Sequence, residues 1–139
     1  MVREFTCIMC PQGCEITVEL EAPEPAEGSG KESGNGRIRS VSGNRCPRGK
    51  EYVTQEIVSP MRNIATSILV VGGELPLASV RLTAPIPKTR IFDVMAEIRK
   101  IRVEAPVTEG QCVLENVLGL GSDVIVTKTV ERIATGMPR

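Results

Sequence analysis

The sequence predicts an α+β protein in two modules: a cysteine-loop β-hairpin over residues 1–60, and a small mixed sheet packed by one main helix over 61–139. Three observations carry this. Apolar–polar alternation marks two strands flanking a polar insertion in the first half. A helical stripe of aliphatics over residues 90–101 stands among short strand-like runs in the second. Four of the five cysteines fall at or before residue 46.

Glu15 to Leu20 places Ile16, Val18 and Leu20 on one face and Glu15, Thr17 and Glu19 on the other, a half-buried strand. Residues 21–36 turn to Glu, Pro, Gly and Ser without periodicity and are read as an exposed, mobile loop. Arg37 to Val41 alternates again and is expected to pair with the first strand. Gly43-Asn44 then turns the chain toward Cys46. Pro47 suits the first position of a short helix over 48–57, which Ser59-Pro60 ends.

Ile64 to Val71 reads as a strand, and Gly72-Gly73 as a hairpin turn. Leu75 to Leu82 returns as a strand that Pro76 would confine to an edge. Residues 84–88 are extended. In the helix, Ile91, Val94, Met95, Ile98 and Ile101 share a face, and Asp93 and Glu97 lie on its solvated side. Val113-Leu114 and residues 124–130 close the module as strands, with Gly119-Leu120-Gly121 as the turn between them. Cys112 is expected to be a small buried hydrophobe.

Composition excludes several classes. Lys+Arg 17 balance Asp+Glu 17, and aromatics are 2% (Phe5, Tyr52, Phe92), so neither a basic footprint nor a stacking platform for nucleic acid is present. With no histidine there is no Ser-His-Asp triad, Cys/His zinc set or Rieske centre. The first residues lack an apolar signal-peptide core, and the longest apolar run, 64–71, is too short to span a bilayer. A cytoplasmic location is expected. There thiols stay reduced, and grouped cysteines bind metal more often than they form disulfides.

Cys7, Cys10 and Cys14 form a C-x2-C-x3-C loop, and Cys46 follows after 31 residues. Three thiolates from one curled loop and a remote fourth suit a [4Fe–4S] cubane, whose irons occupy separate corners. Gly13 lets the loop curl and Pro11 stiffens it. Arg48 and Lys50, flanking Cys46, are candidates for tuning the cluster or lying on its electron path, because a nearby cation favours the reduced form. Arg45 reads as a solvated loop residue. Two alternatives stay open: a structural four-cysteine zinc site, although its second C-x2-C knuckle is missing, and a dithiol–disulfide pair at Cys7 and Cys10, which would leave Cys14 surplus.

The cysteine loop followed by Cys46-Pro47-Arg48-Gly49 resembles the N-terminal iron–sulfur domain of molybdopterin oxidoreductases over about residues 5–52. That resemblance implies cluster ligation by Cys7, Cys10, Cys14 and Cys46, and puts Arg48 at a basic position beside the cluster. The chain is too short for pterin-binding domains, so no molybdenum chemistry is implied. Over its whole length the chain resembles small bacterial and archaeal proteins of unknown function that carry CXXC pairs. The shared pattern includes Gly43-Asn44, Arg48-Gly49, Ser59-Pro60-Met61-Arg62 and Pro85-Ile86-Pro87-Lys88. This second resemblance implies an electron-transfer subunit for an FAD-dependent oxidoreductase of the glycerol-3-phosphate dehydrogenase type, with the second module docking that partner.

Overall fold

The alternating segment Glu15–Leu20 (β2) is the middle strand of a three-stranded antiparallel sheet in the computed structural model, which describes residues 1–21 and 37–134. The insertion read above as a loop, residues 22–36, lies outside the described residues. The fold is α+β, as the sequence predicts. The chain divides into two units, Met1–Pro60 and Met61–Arg139, each with its own apolar core.

In the first unit, β2 pairs on one side with Val2–Thr6 (β1) and on the other with Ile38–Ser42 (β3). The expected β2–β3 pairing is present, with Val18 opposite Val41. β1 is an addition that the sequence pattern did not indicate. The helix α1, Pro47–Val58, begins with Pro47 in its first turn and buries Val53 and Ile57. These join Ile16, Val18 and Leu20 in the core, where the even-numbered face of β2 has gone as its alternation requires.

The second unit contains a five-stranded mixed sheet of Ala65–Val71 (β5), Leu77–Leu82 (β6), Arg102–Glu104 (β8), Cys112–Leu114 (β9) and Val124–Val126 (β10). Their order across the sheet is β8-β5-β6-β10-β9. Met61–Arg62 (β4) and Ile86–Pro87 (β7) form a separate two-stranded pair. The helix α2, Ile91–Arg99, follows one turn of 3-10 helix at Lys88–Arg90 and buries Val94 and Ile98. Asp93 and Glu97 face solvent and pair with Arg90 and Lys100 at 2.9 and 2.7 Å.

Three expectations are corrected here. β6 is the central strand, not an edge. Pro76 precedes it and uses only its carbonyl, which accepts the Val70 N–H at 2.9 Å, so the missing proline N–H costs the ladder nothing. The last strand stops at Val126: Thr127 still donates its N–H to the Ser79 carbonyl, but Val130 pairs with Val107 in an isolated bridge. Cys112 is exposed, because the outermost strand β9 turns it to water.

Ser122 is the buried polar side chain of this unit among the described residues. Its hydroxyl accepts the Ala84 N–H at 3.1 Å and donates to the Ala84 carbonyl at 2.8 Å, tying the turn before β10 to the segment after β6. Ser122→Ala removes both partners at once. It is expected to lower stability by about 1–3 kcal/mol, read from urea unfolding, with no effect on metal content.

Candidate metal centre

The cysteine loop leaves β1 at Thr6 and re-enters the sheet at Glu15, so its two ends are held by a paired ladder in which Thr6 lies opposite Glu15. One further backbone bond closes it: the Cys7 N–H donates to the Cys14 carbonyl at 2.9 Å. Gly13 adopts φ +58°, the left-handed turn that the curl demands. Cys7 points into the core at 4% exposure, beside Ile16 and Val18, while Cys10 and Cys14 are half-buried.

The fourth cysteine arrives from the other side of the same sheet. β3 ends at Ser42, the chain turns at Gly43, and half-buried Cys46 becomes the N-cap of α1. Asn44 steadies this turn by donating from Nδ2 to the Cys46 carbonyl at 3.1 Å. Two features join the Cys46 turn to the cysteine loop. Arg45 donates to Gln12 Oε1 at 3.2 Å. Gly49, buried in the first turn of α1, leaves so little room that a Cβ there would sit 3.0 Å from Ile16 Cδ1 and 3.7 Å from Cys7 Sγ.

The helix start acts on the Cys46 sulfur. No side-chain capping hydrogen bond forms, yet the Gly49 N–H is the largest influence holding this thiol below the usual cysteine range. Partial desolvation opposes it. Arg48 adds to the lowering through its backbone N–H and its guanidinium. The result favours the thiolate, the form that ligates metal. No acidic residue occupies the first turn of α1 to offset this.

The backbone therefore brings the segments bearing Cys7, Cys14 and Cys46 to one end of the first unit. It does not assemble the side chains: among the described residues no group of three or more His, Cys, Asp or Glu side chains is placed to hold a metal ion. Cysteine has one side-chain torsion, so backbone bonds fix a loop without fixing where its sulfur points. Exposed Arg48 and Lys50 lie in the first turn of α1 as expected, and Cys112, in the second unit, lies outside this group. Gln12, Asn44 and Gly49 hold the arrangement together and were not picked out as site residues by sequence reasoning. Asn44 had the available signal, a turn-forming amide two residues before a helix cap.

A family model described as "Protein of unknown function (DUF1667)" matches residues 47–128, from the first residue of α1 to just beyond β10. The chain matches none of the curated proteins. Among solved structures, an NMR structure of a Clostridium perfringens protein is similar at 17% identity and a TM-score of 0.46, over 58% of this chain and 94% of that one.

Proposed function

The chain belongs to the DUF1667 family of proteins of unknown function, and we propose that it is an iron–sulfur electron-transfer protein, or an accessory subunit, serving a flavin-dependent oxidoreductase. The observation that carries this reading is the joining of the two cysteine segments, by the Arg45–Gln12 bond and by Gly49 seated tightly on Ile16 beside Cys7. The donor chemistry fits the group: four thiols, no histidine in the chain, and a Cys46 sulfur biased toward thiolate. Gathering the sulfurs then asks for rotamer changes within loops whose backbones are already tied.

When bound by Cys7, Cys10, Cys14 and Cys46, a [4Fe–4S] cluster supplies a one-electron redox centre. Gly49 and the sheet hold the ligand-bearing backbone, and Arg48 and Lys50 supply positive charge that stabilises the reduced state. The chain performs no bond chemistry of its own on this reading. The CXXC pairs, the likeness to the cluster domain of molybdopterin oxidoreductases, and a glycerol-3-phosphate dehydrogenase-like partner belong to this proposal, as does the cytoplasm. Exposed Leu69, Val71 and Leu77 form an apolar face on β5 and β6 of the second unit. Among the described residues no helix is long and apolar enough to cross a membrane.

Anaerobic purification is expected to give a brown protein with about four irons per chain and a paramagnetic signal after dithionite reduction. A colourless protein holding one zinc would replace this reading with a redox-silent structural site.

A further inference from the structure

Between Cys7 and Cys10 the chain holds two large apolar side chains in water: Ile8 is 74% and Met9 48% exposed. A single exposed aliphatic is ordinary. Two in succession at the tip of a tied loop need another reason, because their neighbours Phe5 and Cys7 have found the core.

Cations lie on the segment that meets this loop. Exposed Arg45 reaches across to Gln12, inside the cysteine loop. Exposed Arg48 faces the Cys46 sulfur and exposed Lys50 follows it, in a first helix turn without a carboxylate; exposed Glu15 and Glu51 are the acidic residues adjoining these segments. The positive end of the α1 dipole adds to the same side.

We infer that this end of the first unit is the docking face for an acidic protein partner, one whose apolar contact patch is ringed by carboxylates. The inference rests on the electron-transfer reading and names where the partner sits. Electron tunnelling weakens steeply with distance, so a redox partner must lie directly over the thiol-bearing loop, and Ile8 and Met9 are the side chains it would cover. Met9 can repack against different surfaces. Arg45, Arg48 and Lys50 form a rim that steers an acidic protein into place and sets orientation. Two aliphatic side chains without an aromatic anchor or an amphipathic helix bury too little to hold a membrane surface. The loop offers no aromatic ring on which a nucleic-acid base could stack.

The test uses the full chain, purified anaerobically, with flavodoxin, an acidic one-flavin protein, as the probe. Affinity is measured by titration calorimetry at low and high ionic strength, with iron and zinc content and circular dichroism read on the same samples. Flavodoxin is expected to bind weakly, and less so as salt rises. The pair I8Q/M9Q should weaken binding about tenfold with the salt dependence retained. R45E should weaken it and flatten the salt dependence. I8Q/M9Q should leave metal content and helicity unchanged, while R45E also breaks the Arg45–Gln12 bond and is compared at equal metal content. No binding, affinity indifferent to both variants, or binding to phosphatidylserine vesicles instead of flavodoxin overturns the docking face. If the samples hold zinc while affinity responds as stated, the docking face stands and the electron-transfer reading falls. Iron with an indifferent affinity gives the converse.

Discussion

On the proposed iron–sulfur reading, Cys46→Ser is expected to abolish the brown colour and take iron from about four per chain to a small fraction of that, while the first unit stays folded. The argument joins two properties of one position. As a donor, serine offers a hard, protonated oxygen in place of a thiolate, and the proposed cluster would lose the ligand that the remote segment supplies. As a structural residue, serine is the better choice, because position 46 is the N-cap of α1 and makes no side-chain capping bond as it stands. A serine hydroxyl there can accept an N–H of the first turn, a contribution of about 0.5–2 kcal/mol. Helicity should therefore hold while metal disappears, which separates ligand loss from unfolding. Cys112→Ser is the control: it lies exposed on β9 and should leave iron content unchanged.

Gly43→Ala is expected to produce the largest loss of stability of any substitution named here, about 3 kcal/mol, with metal content falling in step. Two costs coincide. Gly43 has φ +88°, a conformation in which a side chain is strained by about 1–2 kcal/mol. The added Cβ would also be driven into the backbone carbonyl oxygen of Glu15, with the Glu15 carbonyl carbon 3.3 Å and Ile16 Cα 3.4 Å away. A backbone inside a paired strand cannot swing aside as a side-chain tip can. Relief must come from separating β3 from β2, and Cys46 sits only three residues further on. Gly13→Ala makes the comparison. Its φ is +58° but nothing lies within 4 Å of the added carbon, so its cost should be about 1 kcal/mol, from backbone strain alone. Urea unfolding of the two variants, read beside their iron content, checks both numbers.

Much of the fold was legible because its elements repeat a local period. β2 alternates cleanly, α2 carries Val94 and Ile98 one turn apart, and Pro47 announces the start of α1. β1 was not legible: Val2 to Thr6 is largely exposed, so no apolar face marks it, and its existence depends on the partner strand. β8 is three residues long and joins the sheet in parallel to β5, a pairing between segments far apart in sequence. Pro76 and Cys112 misled for one reason. Each residue type has a usual place, but strand order decides which positions are central and which face water, and that order is a tertiary property. At the candidate centre the residue types and their spacing suggested the ligand set that the proposal uses. The Gln12–Arg45 bond and the tight seat of Gly49 were not, since both arise only when two separate segments meet.

Cys7 belongs to the core of the first unit as well as to its thiol group. Over-oxidation of that sulfur to the sulfonic acid would insert a permanently charged, three-oxygen group among Ile16, Val18 and Val53, where no partner for it exists in the apolar cluster. Chemical wear and loss of structure would then strike together.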